Sequence, residues 1–187
     1  AQVPHWAVNA RAEDDILASL LQNVSVGEPL FVEIGVDQGV LSRSLLERLP
    51  KLRAIGVDPY LDTYAGVPSD ERFDRMGSSV FYQNALENYR AFGDRAQLLR
   101  STSLMAAESW TFGAIDLVFI DAEHDFQSCL DDISAWAPYV RPGGFVTGDD
   151  YGSATIGVVR AVHQSLPPGV KLNLAPHGVW WWRIPLQ

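Results

Sequence analysis

Cysteine occurs once, at Cys129, so no internal disulfide can form and a cysteine-based zinc site is excluded. The four histidines are scattered, with no HxH or HExxH spacing, which removes a histidine-rich zinc site as well. No apolar run approaches the ~20 residues that span a bilayer. Positive charge is scarce: 14 Lys and Arg face 23 Asp and Glu, for a formal net charge of −9. A surface of that sign repels phosphate backbones and anionic lipid, so neither nucleic acid nor a membrane is an expected partner. Repeats, low-complexity tracts and linkers are absent too, and 187 residues suit one domain, 1–187. With 47% hydrophobic and 20% charged residues the composition is that of a folded chain rather than a disordered one. The expectation is a cytoplasmic globular domain.

What is present is an alternation of short apolar runs with helical periods. Leu30 to Gly35 reads as a buried strand, and Val40, Leu41, Leu45, Leu46 and Leu49 then recur at helical spacing. Leu52 to Pro59 is a second strand, stopped by a residue held before proline. A polar, helix-permissive stretch follows from about Ser69 to Phe92. Ala96 to Arg100 is a third strand, and Ile115 to Asp121 (IDLVFID) is the most hydrophobic one. The periodicity predicts a helix from Phe126 to Val140, a turn at Pro142-Gly143-Gly144, and a strand starting at Phe145. A further helix is expected over Ile156 to Leu166, then two strands around Lys171–Leu174 and Val179–Ile184. Strands alternating with helices of this length predict an α/β fold, a doubly wound and mostly parallel sheet with an antiparallel pair at the C-terminal end.

In such sheets ligands bind past the carboxyl ends of the strands. The first run there is Glu33-Ile34-Gly35-Val36-Asp37-Gln38-Gly39. Its glycines allow a sharp turn, and the next helix offers free N–H groups. The spacing is GxxxG after an acid, not the dinucleotide GxGxxG. A pyrophosphate has no use for a carboxylate at Glu33, whereas an ammonium does. Such turns also occur for purely structural reasons. Asp58, at the end of the second strand, either accepts hydrogen bonds from a ribose diol or caps an Asp-Pro turn. Thr102 and Ser103 after the third strand either cap a helix or meet an adenine edge.

The fourth and fifth strands end in Asp121 and in the pair Asp149-Asp150. Neighbouring strand ends lie about 5 Å apart, so the three carboxylates can converge. Buried carboxylates at close range repel unless a cation or protons intervene. All-oxygen ligation suits a hard ion, Mg²⁺ or else Mn²⁺ or Ca²⁺; the alternative is a solvated acidic loop. Glu123 and His124 are of the right chemical type for a general base, and His124 or Asp125 is also placed to cap the next helix.

VEIGVDQG, GVDPY, LLRSTS, VFIDAEHDF, VRPGGFVTGDDYG and GVWWWR together resemble a class I S-adenosylmethionine-dependent methyltransferase. The resemblance is to the small metal-dependent O-methyltransferase branch, related to the catechol and macrocin O-methyltransferases, and it spans about Leu30 to Ile184. It implies that Glu33, Gly35 and Gly39 surround the methionine part of S-adenosylmethionine, with Asp37 at the edge. Asp58 would hold the ribose, Thr102 and Ser103 would lie beside the adenine, and Asp121 would stand between donor and metal. Asp121, Asp149 and Asp150 match the metal ligands. The catechol-type enzymes carry an amide where this chain has Asp150, and macrocin-type relatives carry an acid. The catechol-type basic lysine falls at His124 and the macrocin-type acidic base at Glu123.

The expected function is methyl transfer to a hydroxyl of a small molecule, catechol-like or a sugar or polyol, assisted by Mg²⁺ or another hard divalent cation. The expected partner is the small-molecule acceptor, with a homo-oligomer left open; the rivals are a non-catalytic module of the same fold that binds the cofactor or a protein partner, and a metal-independent methyltransferase. A nicotinamide oxidoreductase is disfavoured by the absent GxGxxG and the lack of a Tyr-x-x-x-Lys pair. Tyr60 to Phe81, with Tyr64, Phe73 and Met76, is either a lid over the acceptor or a helix with a core face. Trp180, Trp181 and Trp182 alternate faces in a strand, so at least one must point away from the core or to a partner.

Overall fold

The computed structural model describes residues 5–24, 27–61 and 77–186, with side chains from residue 13 onward. Its strands are β1 (Leu30–Ile34), β2 (Arg53–Val57), β3 (Ala96–Leu99), β4 (Ile115–Ile120), β5 (Val140–Gly148), β6 (Asn173–Leu174) and β7 (Trp180–Arg183). Its helices are α1 (His5–Gln22), α2 (Val40–Arg48), α3 (Ser78–Arg90), α4 (Ser103–Glu108), α5 (Phe126–Trp136) and α6 (Ile156–Ser165).

One sheet holds all seven strands in the order β3-β2-β1-β4-β5-β7-β6. β7 runs antiparallel to both β5 and β6, and the remaining pairs are parallel. β1 and β4 lie at the centre, and every residue of both is buried, which explains their unbroken apolar runs. Alternate residues serve opposite faces. Leu30, Val32 and Ile34 pack with Val118 and Ile120 towards Cys129, Ile133 and Trp136 of α5 and Val162 of α6. Phe31, Leu117 and Phe119 pack towards Leu17 and Leu21 of α1 and Leu45 and Leu46 of α2. Strand order reverses between β1 and β4, which opens a crevice past their carboxyl ends.

Three expectations change. The helix α1 carries no signal that sequence reading picked out, yet its Leu17, Ala18 and Leu21 complete one core face. Pro142-Gly143-Gly144 does not separate two elements but bends inside β5: Gly143 has a φ of 82°, and the register against β4 jumps from Ile115 opposite Val140 to Leu117 opposite Phe145. The bent segment stays in the sheet because it pairs on its other side, with Gly143 N–H donating to Ile184 O and Ile184 N–H to Gly144 O, both at 2.9 Å. The helix expected to reach Val140 ends at Trp136, where a 3₁₀ turn over Ala137–Tyr139 leads into β5.

Tyr60 and Phe81 are buried, while Tyr64, Phe73 and Met76 lie outside the described residues. In β7, Trp180 and Trp182 share the buried face with ring centroids 5.3 Å apart, and Trp181 is half-buried on the other. No described helix is long and apolar enough to cross a membrane.

Candidate active site

The turn from β1 to α2 is built from left-handed residues: Gly35, Asp37 and Gly39 have φ of 85°, 52° and 73°. At Gly35 a side chain would collide with the main-chain carbonyl of Asp121, so only glycine lets the turn meet the end of β4. Asp121 N–H donates to Ile34 O at 2.8 Å across the same junction. Gly39 precedes α2 and gives no side-chain cap, which leaves the first-turn N–H groups of that helix available at the crevice.

Glu33 is buried and faces inward, under this turn. It accepts a hydrogen bond from Ser42 Oγ, and the Tyr89 hydroxyl lies 3.0 Å from Glu33 Oε2 and 2.6 Å from Ser42 Oγ. Burial pushes the Glu33 carboxyl up to about 8, against the pull of Ser42 and Tyr89, with Asp121 and Asp58 adding to the rise.

Asp58 is a tie between strand ends. Its Oδ2 accepts from the N–H groups of Val36 (3.0 Å) and Asp37 (3.3 Å), and its Oδ1 from that of Tyr60 (2.8 Å). Thr102 caps α4, its Oγ1 accepting from Met105 N–H at 3.4 Å. Ser103 Oγ accepts from the indole N–H of Trp136 at 2.9 Å. Burial pushes nearby Asp132 up to about 6, with Ser103 pulling the other way.

At the ends of β4 and β5 the structure groups Asp121 and Asp150 with His124, while the Asp149 carboxyl lies outside that group and is hydrogen-bonded by Glu13 of α1. His124 Nε2 stands 2.8 Å from Asp150 Oδ2 and 3.7 Å from Asp121 Oδ1. The hydrogen bonds to Asp121 and then Asp150 push its imidazole up to about 10, so it carries a positive charge at neutral pH. Asp121, His124 and Asp150 each offer an atom, and these atoms lie within 4.8 Å of one another. Asp149 Oδ1 is buried and has no hydrogen-bond partner, and burial followed by Asp121 pushes that carboxyl up to about 6. The carboxylates of Asp121 and Asp150, with the buried Oδ1 of Asp149 beside them, are of the oxygen type that suits a hard cation.

Asp125, rather than His124, caps the next helix: its Oδ1 accepts from Gln127 N–H at 2.9 Å and Ser128 N–H at 3.1 Å. Glu123 is partly buried, and burial, followed by Asp125, raises its carboxyl above the usual range.

One acidic group was missed. Glu13, on α1, hydrogen-bonds the Asp149 carboxyl, and burial followed by Asp149 and Asp121 pushes it up to about 8. The signal available was the run Glu13-Asp14-Asp15 ahead of Ile16, Leu17, Leu20 and Leu21, an acidic first segment on an apolar helical period. Asp14 and Asp15 tie α1 to α2, through Ser44 and, at 2.7 Å, Arg48.

Asp150 has φ of 61° and His177 φ of 70°, so with Asp37 and Tyr60 (φ 49°) the four non-glycine left-handed residues among the described ones all stand beside loops at this rim.

A family model described as a methyltransferase domain matches residues 32–151. Among curated proteins, uncharacterized protein R132 of Acanthamoeba polyphaga mimivirus is 28% identical over 137 residues, 73% of this chain and 58% of the viral protein. The chain thus spans little more than half the length of that relative. Among solved structures, the O-methyltransferase NovP aligns over 92% of this chain and 79% of its own, with a TM-score of 0.69 at 17% identity. The TDP-rhamnose 3'-O-methyltransferase CalS11, an enzyme in calicheamicin biosynthesis, aligns over 97% and 81%, with a TM-score of 0.63 at 17% identity. At such identities the likeness is one of fold.

Proposed function

The chain belongs to the methyltransferase-domain family, and from that premise we propose that it methylates a hydroxyl of a small molecule with S-adenosylmethionine as donor. The observation that carries the reading is the pairing of two features across one crevice. The glycine turn and Asp58 lie on the β1 side, and Asp121, Asp149 and Asp150 on the β4 and β5 side.

S-adenosylmethionine supplies an already activated methyl on its sulfonium, so the protein must provide an oxyanion and alignment. The Gly35–Gly39 turn and the open N-terminus of α2 are placed to receive the methionine part, Asp58 the ribose, and Ser103 with Thr102 the adenine. Asp121, Asp149 and Asp150 are the residues that would hold Mg²⁺ or another hard divalent ion, whose chemistry is to lower the pKa of a bound hydroxyl. Transfer forms an O–CH₃ bond and breaks the S–CH₃ bond, and the acceptor proton goes to Glu123, or to His124 once its imidazolium has given up a proton. The engagement of His124 Nε2 by Asp150 favours Glu123. A catechol or a vicinal diol of a sugar or polyol suits such a site, since two adjacent oxygens can share one cation.

A second reading has its own support. The imidazolium of His124, set between Asp121 and Asp150, offsets one of the negative charges of the acidic set without a metal. In that reading the transfer is metal-independent. Calorimetric titration of S-adenosylmethionine into chelator-treated protein, with and without Mg²⁺, tests both. Micromolar binding supports the donor assignment, and no binding under either condition removes it. Methylation of a catechol or polyol that survives the chelator selects the metal-independent form.

A further inference from the structure

The helix α3 has no part in the chemistry above, yet it touches the glycine turn at Gln38 and Gly39 and the acid beneath it. Asn88 Nδ2 donates to the main-chain carbonyl of Gln38 at 2.8 Å, and Asn84 Nδ2 to the Gln38 side-chain oxygen at 2.9 Å. Arg43 of α2 in turn donates to Asn88 Oδ1 at 2.9 Å. One turn further on, the Tyr89 ring lies where a side chain at Gly39 would be 3.0 Å away, and its hydroxyl fills the space over Gly56. That hydroxyl closes the buried cluster with Glu33 and Ser42 beneath the turn. Asn84 and Asn88 are four residues apart, as are Phe81, Ala85 and Tyr89, so a single helix face makes all these contacts.

The turn contains three left-handed residues in five and has one hydrogen bond of its own, Gly39 N–H to Val36 O at 2.8 Å. Asp58 holds its near half at Val36 and Asp37, and α3 supports its far half at two levels. The asparagines grip the outer chain at Gln38, and Tyr89 holds the acid at the root of the turn.

We propose that Asn84, Asn88 and Tyr89 are positioning residues for the methyl donor: without touching it, they hold the Gly35–Gly39 turn in the shape that receives its methionine part. The proposal rests on the reading that this turn takes S-adenosylmethionine.

The test compares two probes, S-adenosylhomocysteine and 5'-methylthioadenosine, which lacks the amino-acid portion. Affinities are measured by calorimetry on the wild type, Asn88→Asp and Tyr89→Phe. Asn88→Asp keeps the shape and the acceptor for Arg43 but cannot donate to Gln38, and Tyr89→Phe removes only the hydroxyl. Each variant is expected to bind S-adenosylhomocysteine about tenfold more weakly, the scale of one lost hydrogen bond, with methylthioadenosine affinity unchanged. Equal affinity for S-adenosylhomocysteine in wild type and variants overturns the proposal. So does a parallel loss of both probes, which marks a general structural role. Failure of the wild type to bind S-adenosylhomocysteine defeats the donor reading itself, and the proposal with it. If Tyr89→Phe does not fold, Asn88→Asp and Asn84→Ala, at partly exposed positions, carry the comparison.

Discussion

The indole N–H of Trp180 donates to the main-chain carbonyl of Asp149 at 3.0 Å. The antiparallel strand β7 thereby fixes the height at which β5 releases its acidic pair. The same ring fills the space over Gly148, where any side chain would collide with it. A tryptophan of the C-terminal strand thus sets the position of a candidate ligand. Trp180→Phe removes the donor and part of the ring from a fully buried site. It should cost about 2–4 kcal/mol in urea unfolding, a lost buried hydrogen bond plus a cavity. A loss below 0.5 kcal/mol would show that β5 holds its end without β7.

Asp149 is the carboxylate whose Oδ1 is buried and unanswered. Asp149→Ala should abolish metal-dependent turnover and any Mg²⁺-induced rise in melting temperature, while S-adenosylmethionine affinity stays within about threefold. Retention of the Mg²⁺ effect in this variant is incompatible with the ligand assignment.

Stability should fall as pH rises from mildly acidic to mildly basic. Glu33 and Glu13 are pushed up to about 8, and Asp149 and Asp132 to about 6, each chiefly by burial. A carboxyl raised in the folded state stabilises fully below its unfolded value, and that contribution is lost as pH climbs through its folded one. His124, raised to about 10, acts in the same direction above its unfolded value of 6.5. Denaturant midpoints measured without divalent ions should be higher at pH 5.5 than at pH 8.5. Glu33→Gln should flatten the slope between pH 4.5 and about 8, the window over which Glu33 titrates differently in the two states. A midpoint that rises towards pH 8.5 contradicts the burial of these acids.

Gly35→Ala puts a methyl group against the Asp121 carbonyl at a backbone φ of 85°. Strain of this kind costs about 1–3 kcal/mol, and the collision adds to it. Circular dichroism melts should show the loss, and donor binding should fall with it, because the turn must back away from β4.

The sheet was legible because burial on both faces writes itself into β1 and β4 as LFVEI and IDLVFI. The strand-end acids followed from it, since chain position past a parallel strand is a spatial statement. What escaped was set by contacts distant in sequence. Glu13 acquires its place only when α1 packs across the sheet, 136 residues from Asp149 along the chain. Tyr89 looks like any helical aromatic until the fold lays it under Gly39 and Gly56. Pro142-Gly143-Gly144 carries every local mark of a turn and does bend at Gly143, but its pairing with Ile184 keeps the bend inside β5.

The left-handed residues at the rim have a bearing on any attempt to make this protein more robust. Tyr60 is buried, and Asp37 and Asp150 belong to the candidate site, so relaxing those three by glycine removes groups the crevice uses. His177 is different: it is exposed, its side chain belongs to no part of the site, and it shares the same unfavourable φ. An engineer seeking thermal tolerance therefore has in His177→Gly the one of the four replacements that removes no side chain described in the candidate site.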